Sequence, residues 1–251
     1  MDQYYYGRHS VLEVIKSGKS INKLYLSKGI KESTVADFKR SLEGTGVPIK
    51  FIDRMILDKM FPDQNHQGIA AEVSAKNYSQ WEEILELAET RNEPPLILIL
   101  DSIEDPHNFG AIIRTAEAAG VHGIIIPKNR SVMLSETVAK TSAGALENML
   151  IARVTNLSQI IDKLKEKNIW IYGTDLEGSS IYREKISGAA AIILGNESKG
   201  VSQNLLKKCD VIMTIPMIGQ VNSLNVSVAN GVILFELLRQ RFESEAKKDA
   251  R

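Results

Sequence analysis

Apolar and polar positions change rhythm twice along the 251-residue chain. Over the first 75 residues, short β-like runs alternate with helical ones. Lys23-Leu24-Tyr25-Leu26 and Pro48-Ile49-Lys50-Phe51-Ile52 read as strands, and Ile69 to Val73, after His66-Gln67-Gly68, reads as a third. Between the first two, Val35, Phe38 and Leu42 recur at the spacing of one helix face, and Gly44-Thr45-Gly46 ends that helix. A small α/β domain over residues 1–75 is expected. Residues 76–95 are acidic and place Trp81, Ile84, Leu85 and Ala88 on one helical face before Pro94-Pro95, which cannot continue a helix. A linker and domain border are expected there.

From Leu96 the rhythm becomes strand–helix alternation over residues 96–251. Leu96 to Leu100 is a continuous apolar run, the mark of a strand buried on both faces. A helix from about Asn108 to Ala119 is expected next. Further strands are expected at Gly123–Ile126, Ile169–Tyr172, Ala191–Leu194 and Val211–Ile215, with helices near 157–167 and 224–241. Strands separated by helix-length segments predict an α/β fold with a mostly parallel sheet covered on both faces. The charged tail from Glu243 is expected to fray.

Composition narrows the classes. Hydrophobic residues make up 43% and charged residues 25%, with 31 basic and 31 acidic side chains. That excludes a disordered chain. The longest apolar runs are too short for a bilayer, which needs ~20 residues, so no membrane partner is expected. Met1 to Ser10 has no apolar stretch of secretory type, and one cysteine, Cys209, cannot build a disulfide or a cysteine zinc site. A cytoplasmic protein is the expectation. Residues 1–75 carry 11 basic and 9 acidic groups, residues 76–95 carry 2 and 5, and residues 96–251 carry 18 and 17. Nucleic acid must therefore be met by a local patch rather than a general basic field.

The common nucleotide fingerprints are missing. Gly44-Thr45-Gly46 follows a helix, where a C-cap and turn explain it. Gly195 and Gly200 have Walker-like spacing, but Val201-Ser202 follows, and Ser198 is in no nucleophile elbow. His9, His66, His107 and His122 show no metal-ligand spacing, so structural or surface roles and no metal are expected.

Three segments put polar groups where a core is expected. Leu100 to Ala116 leaves the carboxyl end of a buried strand, where open α/β sheets place ligands. Asn108 and Arg114 project from the helix start, whose amides favour an anion. Arg114 sits among Ile112, Ile113, Ala116 and Ala118 and needs a partner if buried, with a bridge to Glu117 as the plain alternative. Ile192 to Gly200 is another strand running into a Gly-bounded loop, in which Glu197 either serves a ligand or favours a helix N-terminus. In Ile215 to Asn230, Asn222, Ser223, Asn225, Ser227 and Asn230 recur through an apolar stretch. Ser223 could cap the helix. The rest need hydrogen bonds, either to a ligand or within a polar network.

Together the three segments resemble the SpoU/TrmH branch of the SPOUT methyltransferases, at Asn108–Ala116, Gly195–Gly200 and Ile215–Ala229. Tyr6-Gly7-Arg8-His9-Ser10-Val11, His66-Gln67-Gly68 and Asp105-Pro106-His107-Asn108 resemble the bacterial 23S rRNA guanosine 2′-O-methyltransferases. The resemblance implies a trefoil-knotted C-terminal methyltransferase domain, working as a homodimer, and a smaller N-terminal L30e-like α/β domain that binds RNA. It implies S-adenosyl-methionine as cofactor, held by Thr174, Leu194, Gly195, Gly200, Ile215, Met217 and Leu224. Arg114 would lie next to the ribose 2′-hydroxyl as base or positioner, with Asn108, Glu197, Ser223 and Asn225 orienting it and the nucleotide. The implied partner is 23S rRNA. A tRNA ribose, or RNA binding without catalysis, are the alternatives.

Overall fold

Leu96–Leu100 is buried along its whole length because it is an inner strand of a parallel sheet. The computed structural model describes residues 3–186, 188–196, 198–221 and 223–249. They divide into two units, Met1–Asn77 with Met133–Thr137, and Tyr78–Val132 with Val138–Arg251.

The first unit contains β1 (Gln3–Tyr6), α1 (Arg8–Lys16), β2 (Ile21–Ser27), α2 (Glu32–Ser41), β3 (Ile49–Ile52), α3 (Arg54–Met60) and β4 (Ile69–Val73). Its sheet runs β1-β4-β2-β3, with β2 and β3 parallel and the other pairs antiparallel. Alternation along β2 serves both faces. Leu24 and Leu26 pack with Val11, Val14, Phe38 and Leu42. Tyr25 packs with Leu57 and Phe61.

The second unit begins with α4 (Trp81–Arg91), then β5 (Leu96–Leu100), α5 (Pro106–Ala118), β6 (Gly123–Pro127), the short helices α6 (Glu136–Thr141, the first two residues of which belong to the first unit) and α7 (Ala145–Asn148), and β7 (Leu150–Val154). It continues through α8 (Leu157–Glu166), β8 (Trp170–Ser180), β9 (Ala190–Leu194), α9 (Gln203–Leu206), β10 (Val211–Thr214) and α10 (Val226–Asp249). Six strands pair in the order β10-β8-β9-β5-β6-β7, all parallel. Ile97, Ile99, Ile125, Ile171 and Ile193 share a core with Trp81, Ile84 and Leu85, and with Ile160, Ile161 and Leu164 of α8. The helical face expected in the linker is thus α4, packed in the core of this unit.

Several boundaries move for identifiable reasons. Helix α5 starts at Pro106 rather than Asn108, because Asp105 caps it by accepting from the Asn108 backbone N–H at 2.8 Å and proline suits the first turn. Strand β8 runs on to Ser180 through an irregular pairing with β10. Helix α10 reaches Asp249 instead of fraying from Glu243. Arg239 pairs with Glu236 at 2.8 Å and with Glu243 one turn on, which supports the polar end of the helix. Among the described residues no helix is long and apolar enough to cross a membrane, and no cluster of His, Cys, Asp and Glu could hold a metal ion.

The two buried histidines use one arrangement. His66 Nδ1 accepts from the Gly68 N–H at 3.0 Å, so its Nε2–H faces Asp58 at 2.9 Å. His122 Nδ1 accepts from the Leu96 N–H at 3.0 Å, so its Nε2–H donates to Glu93 at 3.0 Å. Burial holds the His122 pKa below the ordinary imidazole value, with Glu93 opposing and Arg91 and Arg241 reinforcing the shift. The unfolded chain takes up this proton near pH ~6.5, while the folded chain resists it. Stability linked to His122 is therefore present above that pH and lost as pH falls through it toward the folded value. Urea midpoints should fall between pH 7 and pH 5.5, and less steeply in His122→Gln. Equal pH slopes in the two proteins would contradict this role.

Candidate active site

Parallel strands gather their carboxyl ends at one edge, where α/β sheets of this type take ligands. The strand order sets the segments leaving β10, β8, β9 and β5 side by side. The segment after β9 is the most constrained. A Cβ on Gly195 would lie 2.0 Å from the Gly200 carbonyl carbon and 2.1 Å from the Val201 nitrogen, so only glycine fits. Asn196 and Gly200 exchange both backbone hydrogen bonds, at 3.2 and 2.8 Å, and Gly200 closes the turn at φ +65°. The Asn196 Oδ1 accepts from the Ser198 and Lys199 N–H groups at 2.9 and 3.3 Å. Its Nδ2 donates to the Ser102 carbonyl at 3.1 Å, binding this turn to the segment after β5. Asp101 adds a second tie. Its N–H donates to Leu194 O at 2.8 Å, and its Oδ2 accepts from Ser202 N–H at 2.9 Å.

Between these segments lies a cleft of about 330 Å³, within the range of small-molecule sites. Thr174, Leu194, Gly195, Gly200, Ile215, Met217 and Leu224 all line it, and so does Ser223. The Thr174 hydroxyl donates to the Ile193 carbonyl at 2.9 Å, which fixes one wall. The wall combines aliphatic side chains such as Leu194, Ile215 and Leu224 with polar ones such as Thr174, Asn196 and Ser198, and its described charged residues are Asp175 and Lys199.

Asn108 and Asn225 meet although 117 positions apart, Asn225 Nδ2 donating to Asn108 Oδ1 at 3.0 Å. The Asn225 Oδ1 accepts from the Ser227 N–H at 3.0 Å and its hydroxyl at 2.6 Å. Asn225, not Ser223, therefore caps α10, since only the residue next to Val226 can reach the first-turn amides. One asparagine thus both starts α10 and grips the first turn of α5. Asn230 is fully buried, and its amide has no hydrogen-bond partner among the described residues, so the polar network expected here stops short of it. Glu197 and Asn222 lie outside the described residues.

Arg114 departs from expectation. Its side chain is exposed, because the burial on α5 falls on Phe109, Ile112, Ile113 and Ala116. It has no ion pair among the described residues, and the Glu117 carboxylate instead accepts from Asn148 at 3.4 Å. Arg114 is thus a solvated cation on α5, not a buried charge in need of a partner.

No histidine or cysteine is among the described residues of the cleft wall, so no Ser–His or Cys–His nucleophile is built there. Burial, with Asp210 nearby, pushes the Cys209 thiol up to about 11, and its Sγ–H faces the Leu205 carbonyl at 3.3 Å. It stays an inert thiol at neutral pH. What the site offers is a nucleoside-sized cleft beside paired amides, suited to positioning two bound molecules. Sequence reasoning assigned no role to Asn196 or Asp101. The signal was present, since an asparagine between two glycines favours a side-chain-closed turn and a carboxylate ends an apolar strand.

Comparison with known proteins agrees in both units. Residues 95–235 match the SpoU rRNA Methylase family. Residues 4–79 match the family described as RNA 2′-O ribose methyltransferase substrate binding. YacO of Bacillus subtilis, named as a TrmH family tRNA/rRNA methyltransferase, is 40% identical over 95% of this chain and 96% of its own length. The SpoU methyltransferase AviRb from Streptomyces viridochromogenes, solved in complex with the cofactor AdoMet, shares the fold. Its TM-score is 0.62 at 22% identity, over 96% of this chain and 91% of that one. The A. aeolicus TrmH/SpoU tRNA modifying enzyme is 30% identical over 65% of this chain and 85% of its own, with a TM-score of 0.56. On the matched span and the identity of its relatives, the chain belongs to the SpoU/TrmH family of RNA methyltransferases.

Proposed function

We propose that this protein is a cytoplasmic S-adenosyl-methionine-dependent 2′-O-methyltransferase acting on a guanosine ribose in 23S rRNA. The observation that carries the reading is the glycine-walled cleft at the carboxyl edge of the parallel sheet, beside the Asn108–Asn225 bond. Thr174, Leu194, Gly195, Gly200, Ile215, Met217 and Leu224 would hold the cofactor, mainly by backbone and apolar contact. The bound cofactor supplies a methyl group already activated on a sulfonium. A ribose hydroxyl is a poor nucleophile at neutral pH, so the chain must orient it and favour loss of its proton. Arg114 would set its guanidinium against the ribose oxygen or its phosphate, and the hydroxyl proton would leave through that group or directly to solvent. Asn108 and Asn225, locked to each other, orient the nucleotide with Ser223 and Glu197.

Residues 1–75 would capture RNA, residues 76–95 join them to the rest, and residues 96–251 carry out transfer. The trefoil knot that the family resemblance implies would lie within residues 96–251. On α10, Val228, Phe235 and Phe242 are exposed at seven-residue spacing. Such a stripe is suited to a helix of a second copy, which supports a homodimer through this unit. A tRNA ribose is the second reading, favoured by the 30% identity to a tRNA modifying enzyme.

Two variants test the site. Gly195→Ala should weaken cofactor binding at least ~10-fold in calorimetry, or about 1.4 kcal/mol, with a native circular dichroism spectrum. The added methyl displaces the 196–200 turn rather than a strand. Unchanged affinity would remove this turn from the pocket. Arg114→Ala should lower single-turnover methyl transfer to a 23S rRNA fragment by ~10²-fold or more. Its melting temperature should be unchanged, because the side chain is solvated. Arg114→Lys should rescue poorly, since an ammonium lacks the planar fork. Near-normal transfer by the alanine variant would take Arg114 out of the mechanism.

A further inference from the structure

Strand β8 leaves its regular pairing where it reaches the cleft. Gly173 pairs with Ile212 of β10, but the next β10 residue, Met213, pairs with Ser179. Residues 174–178 therefore bulge out of the β8–β10 ladder, and Thr174, Asp175 and Leu176 become cleft wall. The return is tight. A Cβ on Gly178 would lie 2.7 Å from the Ile212 carbonyl oxygen, so glycine is needed where the bulge closes.

On its other side β8 pairs in register with β9, ending at Gly173 opposite Ile193. Two residues further along each strand come Asp175 and Gly195. A carboxylate thus stands just past the point where β8 stops pairing with β9, beside the glycine turn that follows β9. Dinucleotide folds use the same juxtaposition, in which the glycine turn admits the nucleotide and the acid on the adjacent strand accepts from ribose hydroxyls. Asp175 is half-buried, and its Oδ1 accepts from the Glu177 N–H at 3.2 Å. That bond orients the carboxylate, and Oδ2 has no partner among the described residues. It is also the one acidic side chain among the described residues of the cleft wall.

We infer that Asp175 accepts hydrogen bonds from the vicinal ribose hydroxyls of the bound nucleoside, making it the residue that selects a ribonucleoside in this cleft. The inference rests on the methyltransferase reading and adds a specificity residue to it. Neither the sulfonium nor the amino-acid tail of the cofactor is needed for this contact. The carboxylate should therefore serve donor, demethylated product and truncated nucleoside alike.

The test is calorimetry on the full chain with S-adenosyl-methionine, S-adenosyl-homocysteine, 5′-methylthioadenosine and the 2′-deoxy form of the last. Asp175→Asn keeps the shape and the Glu177 contact while removing the charge. It should weaken the first three ligands by a similar factor of ~10 or more, the scale of a lost charge-assisted hydrogen bond. Wild type should bind the deoxy form ~10-fold more weakly than its parent, and the variant should show no further loss for it. The wild-type arm holds even if the variant folds poorly. A loss confined to S-adenosyl-methionine would mean that the carboxylate reads the sulfonium, and a loss sparing 5′-methylthioadenosine that it reads the amino-acid tail. Either result, or no loss at all, overturns the inference. Wild type that binds none of the four sinks the methyltransferase reading and this inference with it, an outcome distinct from normal wild-type binding with an indifferent variant.

Discussion

At Gly195 two stretches of backbone pass with no room for a methyl group between them, and the site is arranged around that contact. It forces the 195–200 turn to fold back on itself, which explains the paired Asn196 and Gly200 backbone bonds and the positive φ at Gly200. Asn196, Ser198 and Lys199 of this turn line the cleft together with Gly195 and Gly200. The volume of the cleft suits a nucleoside-sized ligand. The Asn196–Ser102 and Asp101–Ser202 bonds then transmit the position of the turn to the segment that leads into α5.

The second constraint is the bond between Asn108 and Asn225. Each asparagine sits in or beside the first turn of a helix, where unsatisfied amides make polar contacts favourable. Asn225 serves as cap for α10 and as partner for α5, and Asp105 caps α5. Each cap is worth about 1 kcal/mol. Capping gives Asn225 a structural reason to be present, and the Asn108 side chain ties that cap to the first turn of α5, the helix that carries Arg114. Arg114 itself needs no structural reason, since it is exposed on that helix and contributes a charge.

Much of this was legible in the residues. Continuous apolar runs such as Leu96–Leu100 and Ala190–Leu194 became inner strands, because only burial on both faces tolerates such a sequence. The site segments were legible as polar groups interrupting those runs. The β7 strand was not, since Leu150–Val154 carries Arg153 and so lacks the continuous apolar run of β5 and β9. Nor was the bulge of β8, because it arises from how β10 pairs with it and leaves no local signature beyond Gly178. The exposure of Arg114 was not legible either, for a related reason. Ile112, Ile113 and Ala116 face the core, while Arg114 and Ala118 share the solvent face of the same helix. Asn230 remains a fully buried amide without a partner among the described residues, and the structure offers no physical account of it.

The central claim is that the cleft serves methyl transfer to a ribosomal RNA ribose, and the most direct measurement is made on RNA rather than on the protein. Ribose 2′-O-methylation would be mapped across total RNA from cells with and without the gene for this chain. The account predicts that one guanosine of 23S rRNA loses its methyl group in the deletion and regains it on complementation, with every tRNA ribose unchanged. An unaltered 23S map, with or without the loss of a tRNA methyl group, would contradict it.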